Sequence, residues 1–188
     1  MPAQIIKGSK TISHIKEGIQ EDLAHMRKKP CLAVVRVGDR PDDIYYQNSV
    51  EKKCADVGID LHICALSGSI DDDTFQATLQ RINQDTAIDG ILMLRPLPRQ
   101  LDEERARNLV SPHKDIDCMS SMCLAKIFEA DESGFPPCTA EAVVRMLECE
   151  GIDVLGKEIV IIGRSTVVGK PLAMLVLAKH ATVTICHT

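Results

Sequence analysis

The sequence predicts an α/β protein of two domains in which parallel sheets are covered by helices. Short β-branched runs alternate with segments of helical periodicity through the first hundred residues. A proline-rich break, Phe135-Pro-Pro-Cys138, then separates that stretch from the rest. Beyond the break lies one more strand–turn–helix–strand, built around glycines at 163 and 169. Of the 188 residues, 45% are hydrophobic and 26% charged, which excludes a disordered, collagen-like or coiled-coil chain. A net charge of −5 leaves no basic footprint for nucleic acid or an anionic membrane. The longest apolar run, Pro171 to Ala178, falls well short of the roughly 18–20 residues of a membrane span. The first ten residues lack the apolar centre of a secretory signal, so a cytoplasmic protein is expected. Eight cysteines with no Cys-x-x-Cys pair, several inside apolar runs, read as reduced thiols with no zinc spacing and no metal.

Taken in order, Ile12, Ile15, Ile19, Leu23 and Met26 recur at helical spacing and predict an amphipathic helix over residues 11–28. Residues 31–37 form a β-branched run ended by Gly38, a strand. A helix is expected over 43–57, stopped by Gly58, then a strand over 61–66. Three aspartates open a helix over 71–85, where negative charge suits the positive helix end. Residues 90–94 are a strand broken by Pro96 and Pro98, and a short helix is expected over 103–109. From there to Pro137 the pattern weakens, with a loop through Asp115 and Asp117. Thr139 is expected to cap a helix reaching Glu150, with Ala142, Val143, Met146 and Leu147 on its apolar face. The close is a strand over 158–163, a helix over 167–180 and a strand over 182–186. The domains are therefore drawn at 1–137 and 138–188.

The turn Gly163-Arg-Ser-Thr-Val-Val-Gly169 joins a buried strand to a helix. In Rossmann-type folds such a turn lets a pyrophosphate sit against backbone N–H groups at the helix N-terminus. The usual Gly-x-Gly-x-x-Gly spacing is not met, because Ser165 holds the second glycine's place and Gly169 lies six residues after Gly163. The same residues also suit a tight strand-to-helix connection with no ligand. An NAD site carries a carboxylate at the end of the second strand. Here that end reads Cys186-His187-Thr188, and Arg164 in the turn suits a 2′-phosphate, so the reading leans to NADP over NAD.

Taken together, Gly163-Arg-Ser-x-x-Val168-Gly169-Lys-Pro171 and the run from Ala181 to His187 resemble the cofactor domain of the bifunctional methylenetetrahydrofolate dehydrogenase/methenyltetrahydrofolate cyclohydrolase family. Five earlier segments resemble the same family: Val37-Gly38 with Tyr46, Val57-Gly58-Ile59, Asp89-Gly-Ile-Leu92 with Pro96-Leu-Pro98, Lys114-Asp-Ile-Asp117, and Pro137-Cys138-Thr139. The resemblance implies an N-terminal folate-binding domain with a parallel sheet and helices, then the first half of a Rossmann-like nucleotide-binding domain. It also implies a homodimer and a longer chain than this one. The activity implied is hydride transfer from methylenetetrahydrofolate to NADP+, followed by hydrolysis of the methenyl product.

In that family a tyrosine packs against the folate, a lysine one helical turn later assists chemistry, a glutamine supports it and an aspartate holds the pterin. Tyr46 and Asp117 match the first and last, and Pro96 belongs to the substrate segment. The lysine's place is Val50 and the glutamine's is Leu94; Cys118 and Ser120-Ser-Met-Cys123 replace a glycine and a His-Pro-x-Asn stretch. Gly163, Arg164, Ser165 and Gly169 take the cofactor positions. Hydride transfer is chiefly a positioning task, whereas opening the methenyl cation moves protons and needs a titratable group. The dehydrogenase step is therefore expected to survive better than the cyclohydrolase step. Lys53, seven residues after Tyr46, is a candidate substitute for the lysine, and Arg95 a second source of positive charge; both also read as solvated surface charges. The rival readings are a non-catalytic folate-binding protein and an oxidoreductase of the same architecture with another substrate.

Overall fold

The computed structural model describes residues 3–187, so Thr188, read above as part of the last strand's end, lies outside the described residues. The first body runs α1 (Ser9–His25), β1 (Cys31–Val37), α2 (Pro41–Val57), β2 (Asp60–Leu66), α3 (Asp72–Gln84), β3 (Gly90–Met93) and α4 (Glu103–Leu109). Its sheet is parallel, in the order β2-β1-β3, with Val34 opposite Ile63 on one side and Leu92 on the other. Then come α5 (Ser121–Phe128) and α6 (Cys138–Cys149), followed by β4 (Glu158–Ile162), α7 (Gly169–Ala178) and β5 (Thr182–Cys186). β4 and β5 pair in parallel as a second sheet. The protein is α/β with parallel sheets, as the alternation of periods predicts.

Side chains alternate across a strand, and that fixes two different faces here. Ala33, Val35 and Val37 of β1, with Ile91 and Met93 of β3, pack on Phe75, Leu79 and Ile82 of α3. Burying each of those large side chains contributes about 1.5–3 kcal/mol. Val34, Leu92 and Leu94 point the other way, toward Val50 of α2. A separate cluster joins Ala140 and Val144 of α6 to Leu172, Ala173 and Val176 of α7. Cys118, Cys123 and Ile127 pack with Met174 and Leu175, so α5 lies against α7.

Several expectations need correction. The stripe on α1 is largely exposed at Ile12, Ile15 and Met26, and Thr11 is the helix's buried residue; α1 packs chiefly against α6 and α2. α2 starts two residues early because Pro41 supplies a preset φ in the first turn. α7 starts at Gly169, two residues late, because residues 163–168 are spent on the turn. α5 falls in the stretch where the pattern weakens; the Ser120 hydroxyl caps it by accepting the Cys123 N–H at 3.2 Å. Thr139 is not a cap but sits inside α6, which follows Pro137 and has no side-chain cap. Ala142 is exposed, and Ala140 and Val144 make the buried face with partly buried Val143 and Leu147. Asp71 does cap α3, accepting the Thr74 N–H at 2.9 Å. No helix among the described residues is long and apolar enough to cross a membrane.

Candidate active site

A cleft of about 240 Å³ opens at the C-terminal ends of β1 and β3, where parallel sheets generally place their ligand sites. Asp43, Tyr46, Leu92, Met93, Leu94, Arg95 and Asp117 line it. Tyr46 and Asp117, thirds of the chain apart in role and 71 positions apart in sequence, thus face one space. Tyr46 is 52% exposed. Loss of hydration on its covered side, with the Asp117 charge second, raises its hydroxyl above the ordinary tyrosine value. Asp43 is nearly buried and held by both arms of Arg40, at 2.7 and 2.8 Å. Sequence reasoning missed Asp43; its signal was its place one turn before Tyr46 on the same helix.

Val50 lies one turn after Tyr46 but packs against Val34, Leu92 and Leu94 instead of lining the cleft. The two positions that carry lysine and glutamine in the resembling family thus meet here in one apolar cluster. Lys53 is exposed and outside the cleft lining, and Pro96 is exposed beyond the cis Arg95–Pro96 bond. Arg95 is 22% exposed at its side chain and is the cation among the lining residues, 3.9 Å from Glu103 and 4.0 Å from Asp117.

The loop that presents Asp117 is tied by Asp115, which is fully buried and accepts the Met119 N–H at 2.9 Å and the Ser120 N–H at 2.8 Å. Cys118 follows at φ 52°. Its buried thiol is pushed up to about 12, chiefly by desolvation and next by Cys123. The Cys138 thiol, 3.5 Å from the Ile116 carbonyl, is pushed up to about 11 by desolvation and by Asp117. Every displaced group around the cleft moves away from neutrality, and all stay protonated there. Replacing Asp115 by asparagine swaps one acceptor oxygen for a donor facing a backbone N–H. The variant is expected to lose about 2 kcal/mol of stability by urea unfolding, whereas an unchanged midpoint would remove Asp115 from this role.

The second site is the turn before α7. Gly163 has φ 130°, a conformation side chains rarely adopt. A Cβ on Gly169 would stand 2.1 Å from the Gly163 carbonyl oxygen. The Ser165 hydroxyl accepts the Val168 N–H at 3.0 Å, and Arg164 is exposed beside it. A helix N-terminus behind a glycine-walled turn, with a cation and a hydroxyl at its rim, fits the phosphates of a dinucleotide. Among the described residues no group of His, Cys, Asp and Glu has the makings of a metal site.

The cleft, lined by an aromatic and a carboxylate, and the glycine turn before α7 make this an α/β protein with two candidate ligand sites. Residues 6–117 match the catalytic domain of tetrahydrofolate dehydrogenase/cyclohydrolase, and residues 137–188 match its NAD(P)-binding domain. The chain belongs to the tetrahydrofolate dehydrogenase/cyclohydrolase family. It is 44% identical over 188 residues to bifunctional protein FolD 1 of Desulfitobacterium hafniense, covering 98% of this chain and 67% of that one. It is 43% identical to FolD of Clostridioides difficile, covering 98% of this chain and 66% of that one. The chain thus spans about two thirds of the length of these relatives. The crystal structure of the bifunctional FolD of Campylobacter jejuni superposes with a TM-score of 0.92 at 33% identity, covering 96% of this chain and 65% of that one. The Trypanosoma brucei enzyme, solved with NADP cofactor and an inhibitor, gives 0.88 at 28% identity, over 100% of this chain and 65% of that one.

Proposed function

We propose that this protein is an NADP-dependent methylenetetrahydrofolate dehydrogenase in which the cyclohydrolase step is lost or strongly weakened. The observation that carries this reading is the packing of Val50 and Leu94 into one apolar cluster. In the reading, residues 1–137 bind the folate and residues 138–188 begin the nucleotide-binding domain. Asp117 takes the N–H donors of the pterin, and the Tyr46 ring packs against it. Leu94 forms the apolar wall and Pro96 belongs to the same substrate segment. Gly163, Arg164, Ser165 and Gly169 hold the cofactor, and the exposed Arg164 favours a 2′-phosphate. Bound NADP+ supplies the hydride acceptor.

Positioning is what these groups do, and it suffices for a hydride step. Hydrolysis of the methenyl cation also needs a group that exchanges a proton near neutral pH. Val50 has no titratable group, and the Tyr46 hydroxyl is raised away from neutrality. Lys53 is exposed and does not line the cleft. The protein acts in the cytoplasm as a homodimer, without nucleic acid or membrane; the acidic net charge supports the former absence.

The test mixes the full-length protein with methylenetetrahydrofolate and NADP+ and follows NADPH and the methenyl product together. Both are expected to rise one for one, with methenyl persisting as long as it does in buffer. Rapid clearance of methenyl would show that another group has replaced the lysine. No rise in either product from a folded protein would leave a folate-binding protein without catalysis, or an oxidoreductase of another substrate.

A further inference from the structure

Arg95 carries an unused recognition capacity inside the cleft. A guanidinium offers five N–H donors in a rigid fork. The Arg95 side chain, 22% exposed, lines the cleft, and among the described residues it donates no hydrogen bond. Its two charge partners stand at 3.9 Å (Glu103 Oε1) and 4.0 Å (Asp117 Oδ2), beyond hydrogen-bond length. Its N–H donors are therefore open to an acceptor that a ligand brings into the cleft.

The fork is nevertheless held in place. Glu103 accepts the Leu97 N–H at 2.9 Å through Oε2 and presents Oε1 to Arg95. Glu103 is also the first residue of α4, so its backbone is fixed by the helix. Asp117, on the other side, is an acceptor. One wall of the cleft therefore sets a donor and an acceptor side by side, about one ring-edge apart.

Such a pair reads a ring edge on which an N–H adjoins a carbonyl. The 2-amino-4-oxopteridine has that edge, with N–H donors at N3 and the 2-amino group and an acceptor at the 4-oxo group. We propose that Arg95 donates to the 4-oxo group of the pteridine while Asp117 accepts from its N–H groups, making Arg95 a specificity-determining residue of this cleft. This deepens the folate reading above and rests on it. Replacing the 4-oxo group by an amino group turns the acceptor into a donor facing the guanidinium and removes the N3 proton facing Asp117, so 4-amino analogues are rejected at both residues. A hydrogen-bonding pocket discriminates strongly against a ligand whose polarity is reversed.

Calorimetric titration of the full-length protein with tetrahydrofolate and with its 4-amino counterpart tests the assignment. The unsubstituted protein is expected to prefer the 4-oxo compound by about 100-fold. Arg95→Leu should reduce the preference to about 10-fold, the remainder coming from Asp117, chiefly by weaker binding of the 4-oxo compound. Arg95→Lys should restore part of it. Glu103→Gln, which keeps an acceptor for the Leu97 N–H, should lower the preference several-fold with no loss of thermal stability, and it serves if Arg95→Leu fails to fold. A preference unchanged in Arg95→Leu, or in Glu103→Gln should that variant stand in, overturns the role of Arg95 while leaving the folate site intact. An unsubstituted protein that binds neither compound overturns the folate reading, and this assignment with it.

Discussion

In a Gly169→Ala variant the dissociation constant for NADP+ is expected to rise by about 100-fold or more, as read by calorimetry. The added methyl would lie 2.1 Å from the Gly163 oxygen, 2.6 Å from its carbonyl carbon and 3.0 Å from the Arg164 nitrogen. All three are backbone atoms of the turn, so no side chain can swing aside to make room. The turn must open or the first turn of α7 must move, and either displaces the N–H groups at the start of α7 that the proposed cofactor site uses. Gly169 is also buried, and Leu172 and Ala173 one turn later belong to the core with α6, so the helix cannot simply slide. Thermal unfolding should show a smaller loss than binding does. NADP+ affinity within a few-fold of the unsubstituted protein would show that phosphate recognition does not use this turn.

The second large effect is a gain. Restoring both altered positions, Val50→Lys with Leu94→Gln, is expected to speed clearance of methenyltetrahydrofolate by about 100-fold, within the range that a positioned acid–base group supplies. Neither substitution should achieve this alone. Val50→Lys by itself sets an ammonium against Val34, Leu92 and Leu94, where its charged form is disfavoured and the fold weakened. Leu94→Gln alone adds a polar group with nothing to support. Together they give the cation a hydrogen-bonding neighbour at the point where the two side chains already meet. Hydrolysis measured on methenyltetrahydrofolate directly, with no NADP+, checks it; a double variant no faster than the parent would place the missing step elsewhere in the cleft.

Much of the architecture was legible because periodicity and turn residues speak locally. β1 announces itself as a β-branched run closed by Gly38, and α3 by three aspartates of which Asp71 caps and two line the first turn. The end of α2 at Gly58, with φ 92°, follows from a glycine after an apolar helix face. What the sequence hid were features set by distant partners. The stripe on α1 has helical period, but period does not say what covers it, and here much of it faces outward. α5 was hidden because the segment from Ser120 is short and its stability comes from packing on α7 rather than from propensity. In the cleft, Tyr46 and Asp117 stood out only through their neighbouring motifs. Asp43 went unread because an aspartate in a helix's first turn already has an ordinary explanation as a dipole partner. The apolar meeting of Val50 and Leu94 needs the sheet: only the shared face of β1, β3 and α2 joins positions 44 apart.

The contact of α5 with α7 has a thermodynamic consequence. Asp115 binds the backbone of Met119 and Ser120, Ser120 caps α5, and α5 leans on Met174 and Leu175 of α7, whose far end begins at the glycine turn. The loop that carries Asp117 and the helix that follows the glycine turn are therefore two ends of one packed lever. Any free energy by which a ligand at one end stiffens or shifts that lever is returned in equal measure to a ligand at the other, because linkage between two binding sites is reciprocal. The order in which two ligands arrive then changes the path but not the total, and a loosened α5 would uncouple the two sites while leaving each one's own groups in place.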